Sequence, residues 1–330
     1  MRVLLALFSV LALIAAGAAV TIGLAVKTYL ADGPLMEEKA VMIERGSGVA
    51  AIADTLEREG VIADALIFKI AARLTDNQGT FKAGEYEFLP AMAMAEVMDK
   101  IRKGEVIDRV ITVPEGMTSW QIVQRLTAND HLTGEIAAIP SEGSLLPETY
   151  HYTRGDTRAA KIAEMQAAMT RTMDELWEKR ADNLPFATRE EALVLASIVE
   201  KETGVASERR RIAGVFVNRL RARMPLQTDP TVIYALTRGA VKDEGQGPLG
   251  RRLLTKDLQT DSPYNTYKYP GLPPGPIANP GRAAIEAALN PEAHEYIYFV
   301  ADGTGGHAFA KTLAEHNANV AKWRKIRAAQ

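Results

Sequence analysis

The chain has 330 residues, of which 47% are apolar, 24% charged and 6% aromatic, with 39 basic and 41 acidic side chains and a formal net charge of −2. That is a globular composition, enough for two ordinary domains or one large one; it excludes wholesale disorder and a broadly electrostatic nucleic-acid binder. Cysteine is absent, which excludes a disulfide framework, a thiol nucleophile and thiolate-held zinc or iron–sulfur sites.

The first predicted element is a run of 24 residues without a charge, Val3 to Val26, in which only Ser9 and Thr21 are polar. At 1.5 Å per residue it spans a hydrocarbon core of roughly 30 Å with some tilt. A secretory signal cleaved near Ala16-Gly17-Ala18-Ala19 competes, but its apolar region is usually about 7–15 residues. The length therefore favours an uncleaved transmembrane helix over residues 3–26, behind a cytoplasmic tail of residues 1–2. Arg2 on one flank and Lys27 and Lys39 on the other do not decide orientation by the count of basic residues. A minimal tail ahead of a large C-terminal region is the layout of a signal anchor. The expectation is thus a single pass through the inner membrane, with the bulk of the chain outside the cytoplasm.

Residues 27–39 read as a polar stalk broken at Gly33-Pro34. An internal repeat follows at an offset of 70. Val41-Met42-Ile43-Glu44-Arg45-Gly46 corresponds to Ile111-Thr112-Val113-Pro114-Glu115-Gly116, and Ile52 and Leu56 fall on Ile122 and Leu126. Each copy predicts a short strand, a turn at glycine and a helix, with Ser47 and Thr118 near the two helix starts as caps. Val49, Ile52, Ala53 and Leu56 make one apolar helix face. A unit this small cannot bury its own face and must pack on more chain. The first copy resembles the LysM module, a small βααβ glycan-binding domain; a generic strand–helix packing unit fits the same residues.

Lys82 to Phe88 reads as a turn into an alternating strand, Ala159 to Lys179 as a helix, and Arg180 to Phe186 as a loop. Thr188 with Glu191 is a capping-box signature opening a helix to Thr203. Two glutamates end its apolar run. With Leu193 at zero and 100° per residue, the apolar direction lies near ~160°, Glu202 near ~180° and Glu200 near ~340°. Glu202 continues the apolar stripe and Glu200 faces away. A carboxyl that loses solvation has a raised pKa, which is what a glycosidic general acid needs; a helix-end glutamate reaching water gives the same pattern. Near the C-terminus, Tyr296 to Val300 predicts a strand, Asp302 to Gly306 a turn, His307 to Phe309 a partner strand, and Leu313 to Arg327 a closing helix. Arg209-Arg210-Arg211 reads as a solvated helix face.

Ala196-Ser197-Ile198-Val199-Glu200-Lys201-Glu202-Thr203 resembles the segment that carries the catalytic glutamate in the endolytic murein transglycosylase family. Further motifs follow in the family's order: Val215 to Leu220, Leu226 to Tyr234, Ser262 to Tyr267, Gly271 to Ile277 and Tyr298 to Gly303. The resemblance covers most of the chain beyond the stalk. It implies a membrane anchor, a LysM-like N-terminal region, which we place at 40–150, and a periplasmic catalytic domain, placed at 151–330, in an overall α+β fold. It also implies Glu202 as the catalytic residue and peptidoglycan glycan strands as substrate. Cleavage would fall at the β-1,4 bond between N-acetylmuramic acid and N-acetylglucosamine and leave 1,6-anhydro ends. A place beside cell-wall synthases, ending strand elongation, follows from the family alone.

Thr203, directly after the acid, is placed to orient its carboxyl. Gln227, Asp229, Tyr264, Asn265, Thr266 and Tyr267 suit sugar binding, through tyrosine faces and through amides and hydroxyls. Packing in a proline-rich loop explains Tyr264 and Tyr267 equally well, and Asp229 before Pro230 also reads as a turn residue. Asn265 has no apolar packing role and leans functional. The five histidines, His131, His151, His294, His307 and His316, lack metal-type spacing, and neither G-x-S-x-G nor a phosphate-binding loop occurs. No metal or cofactor is expected. The alternative to an enzyme is a non-catalytic peptidoglycan-binding scaffold at the membrane.

Overall fold

The computed structural model describes residues 2–75, 80–240 and 249–329. Eleven helices and three two-stranded sheets form a mixed α+β chain among those residues. Two compact units result: one comprises the residues up to Arg109 with His151–Gly155, the other Val110–Tyr150 and the residues from Asp156 onward. The two copies of the repeat therefore fall in different units.

The first unit begins with α1 (Arg2–Leu30), which runs past Val26 because Lys27-Thr28-Tyr29-Leu30 contains no breaker; the helix ends just before Asp32-Gly33-Pro34. Strand β1 (Lys39–Ile43), helices α2 (Val49–Arg58) and α3 (Ala65–Leu74) and strand β2 (Gly84–Phe88) follow in that order. β1 and β2 pair antiparallel, Lys39 opposite Phe88 and Ile43 opposite Gly84. Alternation sends Val41 and Ile43 inward with Tyr86 and Phe88. Against them pack Ile52, Ala53 and Leu56 of α2, Phe68 of α3, and the apolar face of α4 (Met94–Lys103) with Val97, Met98 and Ile101. α2 starts at Gly48 with no side-chain cap, so the hydroxyl of Ser47 does not serve as one.

β3 (Arg109–Thr112) pairs with β4 (Thr149–Tyr152), and in the second unit the Thr112 and Thr149 hydroxyls lie 3.0 Å apart. The second repeat helix, α5 (Ser119–Thr127), does carry the expected cap: Thr118 and Gln121 form a capping box. Gly46 and Gly116, the turn glycines of the two copies, both have positive φ, 81° and 75°, a conformation that costs glycine little and other residues more. The long helix α6 (Arg158–Trp177) leads to α7 (Arg189–Glu202), which Thr188 and Glu191 cap as the sequence predicts. α8 (Arg209–Arg221), α9 (Asp229–Thr237) and α10 (Arg282–Leu289) all pack on α7. The hairpin β5 (Tyr298–Ala301) and β6 (His307–Ala310) and the final helix α11 (Leu313–Ala329) complete the unit.

The middle of α7 is buried on nearly every side, from Val194 through Val199. It is a central helix and not a one-faced one, so its environment is set by three partners and not by a single stripe. Arg209, Arg210 and Arg211 are not a merely solvated face. Arg209 pairs with Glu115, Arg210 donates to the Asn290 carbonyl, and Arg211 meets Glu292 and lies over the Phe309 ring. They fasten the start of α8 to neighbouring segments because guanidinium groups offer several donors in fixed directions.

Candidate active site

The C-terminal turn of α7 delivers its two glutamates to different surroundings. Glu200 Oε2 accepts from the backbone N–H of Gly281 at 2.9 Å, the residue that caps the start of α10. Burial raises the pKa of Glu200, and the Gly281 N–H, at a helix N-terminus where the backbone dipoles favour an anion, opposes that rise. Lys201 reaches the carbonyl of Gly116 at 3.2 Å.

Glu202 is half-buried, and its Oε1 accepts from the hydroxyl of Thr228. Burial raises its pKa above the usual carboxylate range. The Thr228 hydrogen bond opposes that, the negative charge of Asp229 reinforces it, and His307 and Arg219 weakly oppose it.

Thr228 is held from three directions. Its N–H donates to Thr266 Oγ1 at 3.1 Å, and its carbonyl accepts from Thr231 Oγ1 at 2.7 Å. The third contact is its hydroxyl on Glu202. It occupies the N-cap of α9 yet makes no side-chain cap; the oxygen that would ordinarily serve the helix serves the acid. Its neighbour Gln227 is exposed, with a left-handed φ of 51°, and its N–H donates to the Thr266 carbonyl at 3.2 Å. Asp229 is exposed at the first position of α9 and accepts from Tyr267 Oη at 2.6 Å. Burial, then the Asp229 carboxylate, push the Tyr267 phenol up. Arg219 is buried on α8 and ties the site's rim together, donating to the carbonyls of Leu226 at 2.8 Å and Ile297 at 2.7 Å.

The structure thus brings Asp229 and Tyr267 to Glu202, both close enough to act on it electrostatically, whereas among the described residues Gln227 is tied only to the Thr266 backbone. Three expected substrate contacts have other work. Thr203 is buried, and its Oγ1 accepts from the Val205 N–H at 2.9 Å, shaping the turn after α7. Asn265 is fully buried: its amide donates to the Leu258 and Thr260 carbonyls and its oxygen accepts from the Tyr267 N–H. A structural role accounts for its lack of apolar packing, because a buried loop needs its backbone groups paired. Thr266 is buried between Thr228 and Thr231. Tyr264 is half-buried, with its ring 4.9 Å from that of Tyr234 and the Arg238 guanidinium 5.0 Å from it.

Sequence reasoning left out two groups. Thr228 lay between two chosen residues, and its hydroxyl was the available signal. Glu142 is a third carboxyl, after Glu202 and Glu200, whose pKa burial raises; it accepts from the Ser119 N–H at 2.7 Å and from Asn279 Nδ2 at 3.0 Å. Asn279 also donates to the Met117 carbonyl and accepts from the Leu145 N–H, so Glu142 belongs to a fully paired scaffold. Among the described residues no group of histidine, aspartate and glutamate could hold a metal ion.

The YceG-like family matches residues 41–322. The chain belongs to this family. An endolytic murein transglycosylase of Bacillus subtilis is 34% identical over 84% of this chain and 82% of its own length. One of Streptococcus pneumoniae is 33% identical over 86% of this chain and 58% of its own. A crystal structure of a yceG-like protein from Listeria monocytogenes, 36% identical, superposes with a TM-score of 0.51 over 86% of this chain and 99% of that one.

Proposed function

We propose that the chain is a membrane-anchored endolytic transglycosylase of peptidoglycan, with Glu202 as its catalytic acid and base. The observation that carries this is Glu202 itself: a carboxyl with a raised pKa at the end of a buried helix, held by one hydroxyl, in a chain a third identical to endolytic murein transglycosylases. Protonated Glu202 gives its proton to the oxygen leaving muramyl C1. The resulting carboxylate then takes the proton of the muramyl C6 hydroxyl as that oxygen bonds to C1. The glycosidic bond is exchanged for an internal 1,6-anhydro bond, no water is consumed, and Glu202 ends protonated. The attack is intramolecular, so orientation supplies much of the rate. Exposed Asp229 and half-buried Tyr267 beside Glu202, and exposed Gln227, carry groups suited to the sugar's hydroxyl and amide groups, which supports reading them as its contacts.

The order β1–α2–α3–β2 supports reading the first unit as a LysM-like glycan-binding module. α1 supports an anchor in the inner membrane with both units outside the cytoplasm, where glycan strands and their synthases work.

Glu202→Gln keeps the shape of the site but cannot cycle a proton. We expect it to bind sacculi as the parent does and to lose about 10²–10⁴-fold in rate. The check is mass spectrometry of soluble muropeptides, in which the anhydro product lacks the water a hydrolase would add. Asp229 makes that contrast pointed, since a hydrolase needs a second carboxylate. Water-containing ends would make the chain a muramidase, and no product from the parent under any condition would make it a binding scaffold.

A further inference from the structure

The helix α3 is apolar on two opposite faces. With Leu66 at zero and 100° per residue, Ala65, Phe68 and Ala72 centre near ~230° and are buried in the first unit's core. Leu66, Ile70 and Leu74, with the half-buried Ile67, centre near ~60°, and the first three are 65%, 47% and 80% exposed. Lys69 and Arg73 lie on the flank between, near ~300° and ~340°. A soluble surface helix carries one apolar stripe; a second one facing outward needs another apolar neighbour.

That neighbour is partly present. Ile67, Ile70 and Leu74 border a groove of about 360 Å³ whose other wall is α1, through Ile22, Val26 and Tyr29. α1 is exposed along its membrane-candidate stretch, Leu7–Leu30. Its 29 residues make a helix of about 43 Å, longer than a hydrocarbon core of roughly 30 Å. If its first twenty residues fill that core, the part beside α3 stands at the outer headgroup boundary. Tyr29 also packs on the unit's core and donates to Met98 Sδ at 3.6 Å, which fixes α1 against it.

We propose that the outer face of α3 is a second membrane contact, with Leu66, Ile70 and Leu74 seated among lipid acyl chains beside α1. This rests on α1 being a retained anchor. The occupant is lipid because the stripe is continuous with a helix surface that itself requires lipid, and because one flank carries Arg73 and Lys69, the latter paired with Asp54 at 2.6 Å, as polar groups at the edge of an apolar face lying in the interface. The contact holds the first unit against the bilayer by two helices, so its β1–β2 sheet is carried at a set tilt and not on a free stalk.

The absence of cysteine makes the test direct. Full-length chains carrying one nitroxide-labelled cysteine, at Leu13, Ile70, Leu74 or Glu178, are reconstituted in bilayers of phosphatidylethanolamine and phosphatidylglycerol. Relaxation by oxygen is compared with relaxation by a water-soluble nickel chelate. The expected oxygen-to-nickel ratio at Ile70 and Leu74 is several-fold above that at Glu178, and highest at Leu13. Ratios at Ile70 and Leu74 equal to Glu178, with Leu13 still deep, overturn the contact and leave the anchor standing. A water-like ratio at Leu13 overturns the anchor, and the contact with it. Dipolar broadening at Leu74 that unlabelled protein relieves assigns the stripe to a second copy and overturns the lipid contact.

Discussion

At Glu202 two neighbours of known sign sit on one carboxyl, so its protonation can be pushed in either direction. The Thr228 hydroxyl donates to the carboxyl and favours its charged form, while Asp229 places a negative charge nearby and disfavours it. In the proposed mechanism the first proton transfer needs Glu202 protonated, so activity is expected to fall as pH rises through its raised pKa. Thr228→Val removes the donation, raises that pKa further and moves the alkaline limb of kcat/KM to higher pH. Asp229→Asn removes the charge, lowers the pKa and moves the limb to lower pH. pH–rate profiles on defined glycan strands measure both, and displacement in the same direction would mean that the limb belongs to another group. Changes confined to KM would instead make Asp229 a sugar contact only.

Elements join the site through a few buried polar side chains. Ser197, in the middle of α7, donates to the Val194 carbonyl and accepts from the Ile277 N–H at 3.0 Å, tying the proline-rich segment before α10 to the helix of the acid. Ser197→Ala leaves that buried N–H unpaired and is expected to cost about 1–3 kcal/mol, read as a lower denaturation midpoint. What could be read beforehand follows the same division. Helix starts with local chemistry were visible, as at Thr188 and Thr118, because a capping box is written within four residues. So were the paired burial of Ile52 with Ile122 and Leu56 with Leu126, and the strand pattern at Tyr86 and Phe88. Helical angle set Glu202 apart from Glu200 on the apolar stripe, but α7 is buried on nearly every side and burial raises the pKa of both, so the choice of Glu202 rests on the family resemblance. The tasks of Thr203, Asn265 and Thr266 were not readable, since each is decided by which distant or looping backbone group arrives to pair with it. Thr228 escaped for the same reason: its partner lies 26 residues away.

For the molecule as a whole, chemistry and substrate must lie on the same side of the membrane. α1 stands at one end of the first unit, and the second unit carries the acid. The proposed function makes α1 the anchor and puts both units on one side of the membrane. Single cysteines at Asp54 in the first unit and Glu178 in the second, both exposed, test this with a membrane-impermeant maleimide on spheroplasts. Both positions are expected to react without lysis, as extracytoplasmic glycan strands require of their enzyme. Reaction only after lysis would place the acid in the cytoplasm, where no strand could reach it, and the proposed activity would fall whatever the geometry at Glu202.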